Sequence, residues 1–396
     1  MTVTGEQLEV IEMRDPYTLY RQLRRKRPVA RVRLPMGLPC WLVTRHDDVR
    51  AALNHPGLIK DGRRTIAALM GGRGSVVPAV HHLLNLDPPD HTRLRTLVAG
   101  AFTARATARW EPAVARAVAV GVDAMAGRET ADLMADFALP VTREIICDVI
   151  GIAAEDRAAF LGWAEKAMLG NSTQAVDDCA ELLKRYRREL PADPAAAPVG
   201  LVPHLLRTAG EPGRITGAEL VSMAFLLLIA GWETTAAAIG NGVLTLITHP
   251  EQLAAVRAEP SRLDGVVEEL LRFESPVNLA TMRVSATALR LGEADVPAGE
   301  LVMLALGAAN RDGDRFAAGD RLDLDADPTG HLAFGHGIHR CLGAPLGRLI
   351  ARRAIGELLR VFPDLRLDVA PDLIRWQPLL LRGPAELPVR PGDPRA

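Results

Sequence analysis

One cysteine in this chain sits where residue types alone suggest chemistry. It lies in Phe334-Gly335-His336-Gly337-Ile338-His339-Arg340-Cys341-Leu342-Gly343, a glycine-rich stretch that bends sharply before a helix. The helix is predicted from Leu342, Leu346, Leu349 and Ile350, which share a face at 3.6-residue spacing, with Pro345 in the first turn where its missing N–H costs little. A thiolate at Cys341 would then face the positive end of a helix dipole. The N–H groups of Leu342 and Gly343 could also point at the sulfur, and such donors lower a thiol pKa and tune what the thiolate binds. Gly335 and Gly337 permit the turn and the close approach of a flat ligand. Two other readings stand beside that of a metal ligand. Cys341 could be an inert buried cysteine, or part of a zinc site with His331, His336 and His339, although no second cluster supplies matching spacing. A phosphate loop is excluded, because the Gly-Lys-Ser/Thr ending is missing.

Three more constellations have chemical potential. Ala230-Gly231-Trp232-Glu233-Thr234-Thr235 lies in an apolar helix predicted from about Ala218 to Ile247. Leu226, Ala230 and Thr234 stack on one face of it, with Ile229 and Glu233 beside them. Ala230 and Gly231 leave room for a small ligand, Thr234 can place a hydroxyl and a water, and Glu233 can relay protons. The plainer alternative is a threonine back-bonded to its own helix. Trp232, about 200° round the helix from Ala230 and from Thr234, is expected to pack among neighbouring helices. His91 and Arg95 are four apart on a helix opened by Pro88 and Pro89, so they form either a site for a pair of carboxylates or a solvated charged face. Glu269 and Arg272 form Glu-x-x-Arg on one helix face, a pairing common on surfaces.

At the Cys341 loop the sequence matches, at every specified position, the haem-ligand signature of the cytochrome P450 family, Phe-Gly-x-Gly-x-His/Arg-x-Cys-x-Gly. It resembles that family in three further motifs, in the family's order, from Asp87 to Gly343. The resemblance implies a mainly α fold, a helical bundle around haem with a small β-rich region, in one domain spanning 1–396. It implies haem b, with Cys341 as the axial ligand whose thiolate favours O–O cleavage. His91, Arg95, Arg283 and His339 would hold the haem propionates, while Phe334, Gly335, Gly343, Ala230 and Gly231 would lie against the cofactor. Glu233 and Thr234 would deliver protons. Leu226, Ile229, Ala230, Val277, Leu279, Ala280 and Leu380 would border the substrate, under a roof drawn from about Phe160 to Leu201. The stretch from Asp61 to Val80, with Gly71, Gly72 and Gly74, corresponds to a mobile lid. Glu269 and Arg272 would be buried behind the haem, usually with a further arginine. That position here is Ala326, which leaves Arg321 or Arg315 as substitutes. Gly313 also departs from the family, standing where proline is usual after Asn310-Arg311-Asp312.

The implied activity is that of a soluble bacterial monooxygenase. It inserts one atom of dioxygen into a C–H or C=C bond of an apolar small molecule, such as a polyketide, terpenoid or peptide natural product. Two alternatives are a peroxide-driven haem-thiolate enzyme and a non-catalytic haem-binding or ligand-binding protein; Glu233-Thr234 speaks against both.

The elements that must position these residues are legible along the chain. A helix is predicted at Pro16 to Arg25, a hairpin from Val29 to Leu34 and Cys40 to Thr44, and a helix at Asp47 to Asn54. Helical spacing runs through Arg105 to Ile150 and Glu155 to Leu190, so a bundle is expected. A second hairpin is predicted to pair Leu289–Leu291 with Leu301–Leu306, and short strands to follow Phe362. Within 396 residues no linker, repeat or charge block marks a boundary, and the formal net charge of -1 argues against nucleic acid or an anionic membrane. The four cysteines, Cys40, Cys147, Cys179 and Cys341, lack paired spacing, which fits a reducing cytoplasm and excludes an iron–sulfur cluster. Charges at Glu6, Glu9, Glu12, Arg14 and Asp15 interrupt the N-terminal stretch. The longest uninterrupted apolar run, Met223 to Gly231, is short of the about 20 residues a membrane span needs, so no anchor is expected. No flavin fingerprint is present, so electrons are expected from a ferredoxin or flavodoxin with an NAD(P)H-dependent reductase. Arg340, Arg348 and Arg352 are the expected docking face for that acidic partner.

Overall fold

The computed structural model describes residues 8–12, 14–34, 37–62, 82–168, 173–193, 198–208, 214–377 and 380–395. The expected lid glycines Gly71, Gly72 and Gly74, residues 194–197 of the Pro/Ala-rich loop, and Leu379 lie outside these residues.

The principal helices are α1 (Pro16–Lys26), α2 (His46–Leu53), α3 (Asp90–Ala99), α4 (Glu111–Met125), α5 (Leu139–Ile150), α6 (Arg157–Met168), α7 (Thr173–Glu189), α8 (Leu201–Thr208), α9 (Gly217–Ile247), α10 (Pro250–Ala258), α11 (Leu263–Phe273) and α12 (Ala344–Val361). The architecture is mainly α with a small sheet region, as the sequence predicts. Its axis is α9, which opens on a capping box. The Thr216 hydroxyl accepts the Glu219 N–H at 3.2 Å, and the Glu219 carboxylate accepts the Thr216 N–H at 2.9 Å. Glycines set how closely its neighbours approach. A Cβ at Gly231 would lie 2.4 Å from Ile146 Cδ1 of α5, and one at Gly242 would lie 2.6 Å from Ile355 Cδ1 of α12. Helices α4, α5, α9 and α12 share one hydrophobic core built on Val118, Phe137, Ile145, Trp232, Ile239 and Ile355. By length and composition α9 could cross a membrane, but most of its apolar window is buried inside the protein.

The sheet strands are β1 (Glu9–Val10), β2 (Val29–Arg33), β3 (Pro39–Val43), β4 (Leu58–Ile59), β5 (Ala131–Asp132), β6 (Arg283–Ser285), β7 (Leu289–Leu291), β8 (Ala294–Val296), β9 (Leu301–Leu304), β10 (Arg366–Leu367) and β11 (Pro388–Arg390). Six of them form one sheet in the order β1-β2-β3-β9-β6-β4. The first predicted hairpin is present, with Val29 opposite Val43. The second is re-paired. β7 turns at Gly292, φ +53°, onto β8, whereas β9 lies in the large sheet between β3 and β6. Val302, Met303 and Leu304 are completely buried, and only a central strand covers such a run on both faces.

Candidate functional site

Cys341 is held from both ends. Gly335 and Gly337 take φ values of +67° and +74°, which L side chains rarely adopt. The Gly335 N–H donates to the Leu332 carbonyl and the Cys341 N–H to the Phe334 carbonyl, both at 2.8 Å, closing the loop on itself. Helix α12 then starts at Ala344, with Pro345 in its first turn. The thiol is accessible and yet surrounded by protein mass, so it faces an internal cleft. Burial pushes its pKa up, opposed by the Gly343 N–H and by the charges of Arg95, Arg348 and Arg340. This corrects the expected depression: desolvation in the interior outweighs the donors. Gly337 serves the turn, as predicted, and has a packing role besides. A Cβ there would lie 2.1 Å from Asn54 Oδ1 at the end of α2, so packing against protein forbids a side chain.

The central helix is buried except along one stripe. Leu226, Leu227, Ile229, Ala230, Gly231, Glu233, Thr234 and Ala238 keep accessible surface midway along α9, and Ala230 is exposed. Positions 226, 230, 234 and 238 follow the i, i+4 row of a single face. The Thr234 hydroxyl donates to the Ala230 carbonyl at 2.7 Å, the back-bonded arrangement. Its oxygen lone pairs remain able to accept. Gly231 keeps accessible surface beside Ala230, and its missing side chain also accommodates Ile146. Trp232 is 1% exposed, with the Arg143 guanidinium 4.6 Å over its ring, clear of the stripe as expected. Of the predicted lining, Val277 and Leu380 keep accessible surface and Ala280 is nearly enclosed. Leu279 is a correction: it is completely buried among Ile11, Tyr20, Leu42 and Met303, because its segment lays that side chain on the large sheet.

Cations gather beside the loop. His91 on α3 is buried with both ring nitrogens unpartnered, and its ring centroid is 4.5 Å from that of His339. The His339 Nε2 lies 3.5 Å from an Asp87 carboxylate oxygen without hydrogen-bond geometry. Burial and the charges of Lys60, His91, Arg283 and Arg95 hold its pKa down to about 3. Arg283 is 3% exposed, and burial draws it down to about 10, opposed by Asp87. Its hydrogen bond is a long one, 3.4 Å to the Thr281 carbonyl, and among the described residues it has no ion-pair partner. Arg95 donates to the Arg340 carbonyl at 2.8 Å. Lys60 joins this cluster, and a lone lysine in Leu58-Ile59-Lys60-Asp61 gave no signal in sequence. Buried cations short of carboxylates, with orphaned imidazole nitrogens, are chemically matched to an anionic ligand.

Glu269 and Arg272 are buried and paired through two bonds of 2.6 and 2.7 Å. Among the described residues no arginine side chain takes the third place. The Arg272 guanidinium instead donates to the carbonyls of Asn310, Gly319 and Arg321, and Glu269 accepts the Asp323 N–H at 2.9 Å. Arg321 contributes its carbonyl while its side chain is exposed, and Arg315 donates to the Thr329 carbonyl. Two of the three expected docking arginines are likewise engaged. Arg348 makes a two-pronged pair with Glu268 at 2.6 and 2.8 Å and stacks on Phe334; Arg352 pairs with Asp264 at 3.2 Å and approaches Glu111 at 3.8 Å.

Comparison with known proteins decides what this arrangement belongs to. Residues 156–384 match the family described as Cytochrome P450. The chain belongs to the cytochrome P450 family. It is 43% identical to cytochrome P450 107B1 of Saccharopolyspora erythraea over 98% of this chain and 99% of that protein. It is 36% identical to the mycinamicin IV hydroxylase/epoxidase of Micromonospora griseorubida, over 93% of this chain and 94% of the relative. The tirandamycin C-bound P450 monooxygenase TamI superposes with a TM-score of 0.87 at 38% identity, covering 96% of this chain and 99% of TamI. As a P450 the protein is a monooxygenase, an oxidoreductase that uses dioxygen and electrons from external partners, and its cofactor is a haem-thiolate. The residues fit that cofactor on three counts: an accessible interior thiol, an accessible stripe on the central helix, and a buried cation cluster short of carboxylates.

Proposed function

We propose that this P450 is a tailoring hydroxylase or epoxidase of an apolar natural product, using haem b bound through Cys341 within a single domain of residues 1–396. The observation that carries the reading is the Cys341 thiol, accessible in the interior on a self-closed loop at the start of α12. When bound, haem supplies the redox-active iron at which dioxygen is activated. His91, Arg95, Arg283 and His339 would hold its propionates, and Phe334, Gly335, Gly343, Ala230 and Gly231 would lie against it. Thr234 keeps its hydroxyl hydrogen on the Ala230 carbonyl and accepts a hydrogen bond from water, while half-buried Glu233 passes protons to that water. Leu226, Ile229, Ala230, Val277 and Leu380 present an apolar wall to the substrate. The names of the mycinamicin and tirandamycin relatives support a natural-product substrate.

Electrons come from a cytoplasmic ferredoxin or flavodoxin with its NAD(P)H-dependent reductase. Arg348 and Arg352 are internally paired, so the docking face is better centred on Arg340 and Arg50, both exposed and both close enough to His336 to depress its pKa after burial has done so. Ile338, 47% exposed, supplies an apolar tip on the same loop as Arg340. The reading is tested by spectral titration of the ferric protein with a macrolide and polyketide panel, followed by turnover of each binder under isotopically labelled dioxygen. A low-spin to high-spin shift and a product carrying one labelled oxygen atom are expected. Product formation with unlabelled oxygen, or only with added peroxide, contradicts it.

A further inference from the structure

Lys60 immediately follows β4, and the antiparallel register that sets Ile59 opposite Val284 brings Lys60 opposite Arg283. Both side chains are buried, Lys60 at 9% and Arg283 at 3% exposure. Two cations facing each other across a strand pair repel, and burial removes the water that would screen them. The Lys60 ammonium donates to the Thr281 carbonyl at 2.9 Å, to the Thr281 hydroxyl and, at 3.4 Å, to the Met282 carbonyl, all of them neutral. Among the described residues no carboxylate lies within ion-pair distance of it. The nearby acid, Asp87, is spent on the Lys60 backbone N–H at 2.6 Å and faces His339 at 3.5 Å. Burial, then Arg283, drive the ammonium well below the usual lysine range, with Asp87 opposing. A fold that places a lysine and an arginine side by side without a counter-ion is completed by an anion between them.

We propose that Lys60 is a further cofactor-binding residue, sharing a haem carboxylate with Arg283. This rests on the reading that the cluster of His91, Arg95, Arg283 and His339 faces the haem carboxylates. The ammonium swings from its long bond to the Met282 carbonyl onto the carboxylate and keeps Thr281. It anchors the end of β4 to the cofactor, at the point where the chain leaves the sheet.

The test is the rate at which the ferric holoprotein loses cofactor to excess apomyoglobin, measured for wild type, Lys60→Met, Lys60→Arg and Arg283→Met. Each is reconstituted both with haem and with its dimethyl ester, which has no carboxylates. With haem, Lys60→Met should release about tenfold faster, the size of one charge-assisted hydrogen bond lost, and Lys60→Arg should stay near wild type. With the dimethyl ester, Lys60→Met and wild type should release at the same rate. Acceleration by the same factor with both cofactors would make Lys60 a scaffold residue and overturn the proposal. A wild-type rate for Lys60→Met beside fast release from Arg283→Met would overturn it while leaving the cluster reading intact. Wild-type rates for both variants would remove the cluster reading, and this proposal with it.

Discussion

The Thr234 hydroxyl is committed to the Ala230 carbonyl, so its part in chemistry is as an acceptor beside Glu233. Thr234→Ala removes that acceptor without touching the cysteine loop or the cation cluster. Cofactor and substrate binding should therefore persist, while the ratio of product to NAD(P)H consumed falls about tenfold or more, the low end of what positioned proton transfer contributes. The missing reducing equivalents should appear as hydrogen peroxide, two electrons and two protons per dioxygen, and an unchanged ratio would count against the role. Cys341, Glu233 and Thr234 stood out in sequence as candidates because each sits in a short motif whose spacing is local. The burial of Lys60 opposite Arg283 was not legible, since a charged residue reads as surface until the register of β4 on β6 is known. Leu279 was misplaced, because an extended segment says which residues alternate but not which layer each face meets.

At the scale of elements, backbone carbonyls do work that the sequence assigned to arginines, and a glycine on the central helix sets how closely a neighbour packs. The approach of α9 to α5 leaves no space for a Cβ at Gly231. Gly231→Ala should gain about 1 kcal/mol of helix propensity and lose about 1–3 kcal/mol to overpacking, for a net destabilisation. Combining it with Ile146→Ala should give a favourable coupling in a urea-unfolding double-mutant cycle, and additive effects would contradict the contact. Arg272 satisfies its donors on three carbonyls, so Arg321→Ala should change stability by no more than about 0.5 kcal/mol. Arg272→Met leaves the Glu269 carboxylate buried and unpaired. It should cost about 3–5 kcal/mol and most of the bound cofactor, measured as holoprotein yield and denaturant midpoint. A large effect from Arg321→Ala would restore its side chain to the third position. Motif spacing reported the Glu269–Arg272 pair faithfully, but a carbonyl partner has no side-chain signature to read.

For the whole molecule, the helical bundle was legible in long periodic segments and the large sheet was not, because β9 joins β3 and β6 from far along the chain. The same distance in sequence concealed that Arg348 and Arg352 are tied to Glu268 and Asp264. Reversing Arg348 would break a structural pair and confuse docking with folding, whereas Arg340 is exposed and free of ion pairs among the described residues. Arg340→Glu should slow reduction by an acidic ferredoxin in stopped flow at low salt. The gap from wild type should narrow as ionic strength shrinks the Debye length from about 30 Å at 0.01 M to about 8 Å at 0.15 M. Equal rates at every salt concentration would move the docking face elsewhere. All of this depends on Cys341 binding iron, and the absorption spectrum of the reduced carbon monoxide complex tests that most directly. Wild type should show the red-shifted Soret band of a thiolate-bound ferrous carbonyl and Cys341→Ala should lose it, since Cys40, Cys147 and Cys179 are all buried in packed core. A Cys341→Ala protein that kept the thiolate-type band, or a wild type that lacked it, would contradict the account.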